Sequence, residues 1–437
     1  MLFRNVFPLL GLGLAGVTAA YSQEPLGVGY DGSAHSVTSM SAAQREQLML
    51  ELWKGFDVVE IMHLTGHGDG LDEERLVHVF GEDEPRRMTE GDKLRLKQQG
   101  REFMDITEHP NLGRLNAQRP QPMVKPELSS SAFQGVGAAR GLLAGEITTE
   151  HLRADIAKLS SFWNRNYRSN WGLLSSNWVF DHVSSIVAAH QSDKTRVTVT
   201  KFPHKFVQNS VVLRLEAAGD GAEEGEKELV IVGAHQDSLN YRLPFFRAPG
   251  ADDDGSGTVT VFQILRSLVE QEFVPPPGIA VEFHWYAAEE GGLLGSQDVA
   301  AFYEAADVKV KGMLQMDMTA FVKEGTEPKI AFFQDKVDKN LTTFATKLVE
   351  AYVPLPWNMT TCGPTCGSDH MSWTRAGYPA IFATEGLFED FPQTAIHTIN
   401  DDIEAYDAGQ DRGAYDFDHM LQFVKLGIAF VAELSVA

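Results

Sequence analysis

Glu228-Leu-Val-Ile-Val-Gly-Ala-His235-Gln-Asp237, Ile279-Ala-Val-Glu-Phe-His-Trp-Tyr-Ala-Ala288-Glu289-Glu290 and Gly312-Met-Leu-Gln-Met316-Asp317 share one design, a short apolar run that stops at acidic or histidine residues. Between the first two lies Pro249-Gly-Ala-Asp252-Asp253-Asp254-Gly-Ser-Gly257, which leads into Val259, Val261, Phe262, Leu265 and Leu268 at helical spacing. Short runs rich in β-branched and aromatic residues read as strands, and the longer periodic segment as a helix. Their alternation predicts a mainly parallel or mixed sheet covered on both faces. In such sheets ligands bind beyond the carboxyl ends of the strands. Three strand ends and one helix entrance therefore aim polar groups at a single crevice, in the outline of a metal site.

Working outward, helical spacing recurs at Leu152, Ile156, Leu159, Phe162 and Trp163 and again at Trp178, Val179, Val183 and Val187. Strand-like runs follow at 196–202 and 210–215, with later strands at 329–333 and 379–383. Further helices are expected over 296–305, 340–351 and 415–434.

The N-terminal part reads differently. Arg4, an apolar run from Val6 to Val17 and Thr18-Ala19-Ala20 fit a signal peptide over 1–20. That run is too short to span a membrane, and no later stretch is long and apolar enough, so no membrane partner is expected. Residues 21–125 read as a mainly helical prosegment, with Pro120, Pro122 and Pro126 marking an exposed linker near its end. His63, His67 and Asp69 sit in a Gly-rich turn there and are taken as a chance grouping. A permanent accessory domain is the alternative. The catalytic domain is expected over 126–437.

A formal charge of −23 argues against nucleic acid as a partner, whose phosphates demand a basic face. The two cysteines, Cys362 and Cys366, favour a local disulfide in an exported protein. The rival is a zinc site with His370, which needs a helical turn that Gly363, Pro364 and Gly367 oppose. Asn340 and Asn358 begin Asn-X-Thr glycosylation motifs.

The residues with chemistry to offer are His235, Asp253, Glu289, Glu290, Asp317 and, much later, His397. Imidazoles and carboxylates without thiolate suit zinc, and less exclusively cobalt or manganese. Five ligands suffice for two ions if one carboxylate is shared, and a pair about 3.5–4 Å apart can activate water against a carbonyl. Neighbours at a strand end point apart, so one of Glu289 and Glu290 can hold metal while the other takes a proton. Asp252-Asp253-Asp254 could merely cap the next helix. Three carboxylates so close nevertheless repel one another without a cation.

GAHQDS (233–238), PGADDDGSG (249–257), YAAEEGGLLGSQD (286–298), LQMDMT (314–319), CGPTCGSDHMSW (362–373) and IHT (396–398), in this order, resemble the M28 zinc aminopeptidases, especially secreted fungal leucine aminopeptidases. The likeness runs from about Ile147 to the C-terminus, and 97–110 also looks like the prosegment of the fungal enzymes. It implies a three-layer α/β/α sandwich with a mixed central sheet and two zinc ions. By motif, His235 and Asp317 would hold one ion, Glu290 and His397 the other, with Asp253 shared. Glu289 would be the general base and acid, and Asp237 would orient His235. The resemblance also implies a cis bond after Asp253 and a Cys362–Cys366 disulfide.

The implied partner is a peptide with a free N-terminus, acted on by a secreted monomer. Met318, Phe382, Phe388, Phe391 and Ile396 are candidates to line a pocket for Leu-like or other apolar first residues. Pro364 stands where bacterial relatives carry a tyrosine between the cysteines, so a hydroxyl donor is missing there. The alternatives are a single-zinc glutaminyl cyclase on the same scaffold and a non-catalytic binding protein. A carboxypeptidase is disfavoured, because no basic residue stands out to clasp a terminal carboxylate.

Overall fold

The computed structural model describes residues 54–64, 66–119, 133, 135–145, 147–219 and 227–437. The expected signal peptide and the three linker prolines lie outside them. The N-terminal unit contains β1 (Glu74–Val79), β2 (Arg86–Thr89) and β3 (Phe103–Asp105) as an antiparallel sheet in the order β2-β1-β3. Helices Val58–Leu64 and Glu90–Gln98 flank it. The unit thus holds strands beside its helices: Phe103 opens β3, and Val77 and Val79 are buried at the two-residue period of a strand.

The main sheet is built from β4 (Thr195–Phe202), β5 (Ser210–Ala217), β6 (Glu228–His235), β7 (Ile279–Tyr286) and β8 (Lys309–Met316). After the short β9 (Phe321–Lys323) come β10 (Ile330–Phe333), β11 (Trp357–Thr360) and β12 (Ala380–Thr384). A last short strand, β13 (Gly413–Tyr415), pairs with β9. The eight-stranded order is β11-β10-β12-β8-β6-β7-β5-β4. β6 runs parallel to both neighbours, β7 and β8, and β12 runs parallel to β8, whereas β4, β5 and the β10–β12 pair are antiparallel. The sheet is mixed, as expected.

Each strand's sequence matches its place. β6 and β7 are buried almost throughout, which suits continuous apolar runs covered on two faces. β4, at the edge, alternates exposed Arg196, Thr198 and Thr200 with half-buried Val197 and Val199. Helices Gly255–Glu270 and Phe417–Leu434 cover one face. Leu294–Ala305 and His370–Arg375 pack on the other. The helix expected to carry Phe162 and Trp163 stops at Leu159.

Register decides where the ligands fall. Gly233 pairs with Gln315 and His235 with Tyr286. Two residues further on, His235 therefore lies level with Asp317, while Glu289 and Glu290 follow Tyr286 off the same edge. The connection from β6 to β7 passes through Gly255–Glu270, whose entrance faces that edge. A Cβ on Gly257 would lie 2.4 Å from the Met316 carbonyl oxygen, so glycine lets the helix start this close to β8.

Candidate metal centre

At the end of β6, just past β7 and β8 and in a later loop, four side chains from distant parts of the chain converge on Asp253. Its Oδ1 is 3.2 Å from His235 Nε2, and its Oδ2 is 2.9 Å from His397 Nε2. His235 Nε2 is also 3.7 Å from Asp317 Oδ2, and His397 Nε2 is 3.1 Å from Glu290 Oε1. Among the described residues, two groups have ligand atoms close enough to hold an ion, His235–Asp253–Asp317 and Asp253–Glu290–His397. Asp253 belongs to both.

The fit to metal can be tested on these atoms. Glu290 Oε1 is a buried acceptor with no hydrogen-bond donor. Donors on both sides of Asp253 are nitrogen and oxygen only, the set that zinc accepts. Buried polar atoms are normally satisfied, so an orphaned carboxylate oxygen facing a histidine nitrogen marks a place for a cation. The residues fit.

A second layer of carboxylates organises the first through backbone N–H groups. Asp237 accepts from the N–H of Glu289 at 3.0 Å and of Glu290 at 3.2 Å, and its Oδ1 lies 3.5 Å from His235 Nδ1. Asp254 accepts from the N–H of His235 (3.1 Å), Gly257 (2.8 Å) and Met318 (3.0 Å), tying the ends of β6 and β8 to the helix start. Asp401 accepts from the N–H of Asp252 and Asp253 at 2.8 and 3.0 Å. Ser368 donates to Asp317 Oδ2 at 2.6 Å. The peptide joining Asp253 and Asp254 is cis. His397 has φ of 58° and Met318 of 61°, left-handed backbone at two positions beside the ligands.

The electrostatics separate the two neighbouring glutamates. Burial pushes the Glu289 carboxyl well above the usual carboxylate range, and Glu290 adds to this against the pull of His235. Burial also opposes charge on Glu290, but His397 and Lys97 overcome it and hold its carboxyl at about 2. One carboxyl is thus raised toward the range of a general base, and the other is held ionised. Glu289 belongs to neither metal-holding group.

Asp401, Ser368 and Lys97 were not singled out by sequence. Asp401 and Ser368 lie inside or beside the IHT and CGPTCGSDH segments, where their proximity to ligand motifs is a signal. Lys97 gives none, yet its Nζ is 3.0 Å from Glu290 Oε2 across the boundary with the N-terminal unit.

The remaining candidates scatter. Phe382 stacks on Phe333 with ring centroids 4.5 Å apart, and Phe391 meets Phe333 at 6.3 Å and Phe388 at 5.6 Å. Met318 and Ile396 adjoin the ligands Asp317 and His397 in the chain. None of the five borders the cavity of about 290 Å³ beside Glu290, whose walls include Leu239, Pro244, Phe245 and Tyr167, with Leu94 and Phe103 from the N-terminal unit. His67 stacks on Phe245 at 4.4 Å, and His63, His67 and Asp69 form no metal-holding group among the described residues. Cys362 and Cys366 are joined as a disulfide, with Cα atoms 5.9 Å apart, around a 3₁₀ turn that leaves Pro364 exposed. His370, the third member of the rival zinc set, is buried with Nε2 at 3.2 Å from the Asp335 carbonyl oxygen. Asn340 and Asn358 are both exposed. No helix among the described residues is long and apolar enough to cross a membrane.

Residues 211–418 match the model of peptidase family M28. Leucine aminopeptidase 1 of Fusarium vanettenii is 39% identical over 361 residues, covering 80% of this chain and 84% of that protein. Leucine aminopeptidase 1 of Grosmannia clavigera is 39% identical over 388 residues, covering 86% and 89%. In fold, the chain is similar to the LapA aminopeptidase of Legionella pneumophila, with a TM-score of 0.68 at 23% identity over 83% of this chain and 98% of that one. With relatives this similar along most of its length, the chain belongs to peptidase family M28, as a metallo-aminopeptidase resembling the fungal leucine aminopeptidases.

Proposed function

We propose that this protein is a secreted exopeptidase with two zinc ions, which removes the first residue from peptides and prefers Leu-like or other apolar residues there. The single observation that carries the reading is Asp253, with one carboxylate oxygen toward each of two histidines, at 3.2 and 2.9 Å. His235 and Asp317 would hold one ion, Glu290 and His397 the other, and Asp253 both. Zinc so held supplies Lewis-acid activation of water and of the substrate carbonyl.

The chain's own groups do the rest. Glu289 accepts a proton from the attacking water as its oxygen bonds to the first carbonyl carbon. As the carbon–nitrogen bond breaks, Glu289 returns that proton to the departing amine. Burial lifts the Glu289 carboxyl well above the usual carboxylate range, so it takes up a proton more readily than an ordinary surface carboxylate. Asp237 holds both glutamate N–H groups, so base and ligand keep a fixed separation while the proton moves.

In the same reading, residues 1–20 are a signal peptide, 21–125 a prosegment and 126–437 the catalytic domain. The mature enzyme acts as a monomer, with Asn340 and Asn358 open to glycosylation. Met318, Phe382, Phe388, Phe391 and Ile396 remain the proposed lining for the first side chain. The deciding experiment pairs zinc counting with a panel of aminoacyl nitroanilides, free and N-acetylated. Two zinc ions per chain and cleavage of free leucyl substrate alone support the proposal. One ion with cyclisation of N-terminal glutamine would replace it with the cyclase.

A further inference from the structure

The N-terminal unit reaches the metal centre through one side chain. Lys97 Nζ lies 3.0 Å from Glu290 Oε2 and 2.5 Å from Glu102 Oε2, with the Lys97 side chain 6% and the Glu290 side chain 2% exposed. Glu290 is thereby divided. Its Oε1 faces His397 in the Asp253–Glu290–His397 group, and its Oε2 is occupied by an ammonium.

This contact is imposed by its surroundings. The helix Glu90–Gln98 is pinned by Lys93, which reaches Glu90 and Asp105 at 2.8 Å each. Tyr167 of the main body donates to Glu90 Oε1 at 2.7 Å, and Gln98 Nε2 donates to the Arg242 carbonyl oxygen at 3.1 Å. Asp105 N–H donates to the Gly292 carbonyl oxygen at 3.0 Å, two residues beyond Glu290. Lys97 is therefore delivered to Glu290 whenever the unit is seated.

A dication on Glu290 Oε1 would share a buried carboxylate with that ammonium. Like charges so placed repel strongly where water is excluded. The other position, His235–Asp253–Asp317, has no such neighbour among the ion pairs formed by its three members. Coupling between two binding events is reciprocal: whatever factor the seated ammonium takes from metal affinity, the metal takes from seating.

We propose that seating of the N-terminal unit and filling of the Asp253–Glu290–His397 position by zinc oppose one another through Lys97, while the His235–Asp253–Asp317 position is spared. The inference rests on the two-zinc reading. It makes zinc loading and release of the unit a single linked event.

The test uses the full chain, stripped with chelator and titrated with zinc by calorimetry. Wild type should bind one ion tightly and a second at least tenfold more weakly. Lys97→Met should tighten the second site at least tenfold and leave the first within about twofold. Lys97→Arg, which keeps the charge, should behave as wild type. In parallel, amide hydrogen exchange across the helix Glu90–Gln98 should accelerate on the second equivalent of zinc in wild type. This arm needs no variant. Two equal sites in wild type, or helix exchange that zinc leaves unchanged, would overturn the linkage while leaving the two-zinc reading intact. Absence of zinc binding in every chain would instead sink that reading, and the linkage with it.

Discussion

Replacing Glu289 by glutamine isolates the proton-transfer step from everything else at the centre. The main-chain position of residue 289 is set by its N–H bond to Asp237 Oδ1 at 3.0 Å, which the substitution does not touch. Glutamine has the shape of glutamate but cannot accept the proton. Because Glu289 lies outside both metal-holding groups, zinc content should not change. General acid–base catalysis is commonly worth about 10²–10⁴ in rate. In the proposed reaction one residue serves both the attack and the departure of the amine, so the upper half of that range is expected. A loss of about 10³–10⁴ in kcat corresponds to roughly 4–5.5 kcal/mol of barrier. KM should move little, since the side chain is not assigned to substrate binding. The assay is leucyl nitroanilide hydrolysis at saturation, with zinc measured on the same sample and melting followed to show an intact fold. A variant with full zinc and more than about a tenth of wild-type kcat would remove Glu289 from the mechanism.

Other expected outcomes follow from neighbouring contacts. Asp237→Asn puts an amide where two backbone N–H groups and His235 Nδ1 need an acceptor, and support of this kind is worth about 10–100-fold in metal affinity or activity; zinc titration against wild type measures it. Gly257→Ala forces a methyl to 2.4 Å from the Met316 carbonyl oxygen and should destabilise the fold by about 1–3 kcal/mol, read by denaturant midpoint. Acid should loosen the N-terminal unit. Burial opposes charge on Glu90, but Lys93, Tyr167 and Arg168 hold its carboxyl at about 2, below its ordinary 4.5. Its contribution is therefore complete above pH 4.5 and is lost as the pH falls toward 2, up to about 3 kcal/mol. Hydrogen exchange of the helix Glu90–Gln98 against pH should rise in that window, and Glu90→Gln should flatten the rise.

Legibility of this chain followed the range of the interaction. β6 and β7 were plain because both faces are covered, so the sequence is a continuous apolar run with a sharp polar end. β11, Trp357–Thr360, is not legible because an edge strand of four residues, with half-buried Trp357 and Met359 on either side of exposed Asn358, has no such contrast. β1 was missed for a related reason: Arg75 and His78 interrupt a pattern that only Val77 and Val79 complete. At the centre, residues that offer ligand atoms were visible, since histidine and carboxylate at strand ends are distinctive by type. Residues that act through one hydrogen bond to a remote partner were not. Asp401 is 148 positions from the Asp253 N–H that it accepts, and Lys97 is 193 from Glu290. Only folding brings such pairs into one place.

The triple aspartate shows how far type alone can carry the argument. By type alone, three adjacent carboxylates repel one another and call for a cation. In the fold the three diverge. Asp252 turns to Glu385, and burial, with Asp401 close to Asp252, pushes both carboxyls well above the ordinary range. Asp254 turns the opposite way and accepts three backbone N–H groups. Only Asp253 faces the histidines. Of the three, Asp253 is therefore the one placed to share an ion between the histidines, while Asp252 lies beside Glu385 and Asp254 is held by peptide N–H groups. Those flanking bonds matter to the chemistry. They fix the Asp253 loop to β6, β8 and Asp401 before any ion arrives, so that metal binding does not also have to order the chain. An Asp254→Asn chain should accordingly lose zinc affinity although no ligand atom has been removed.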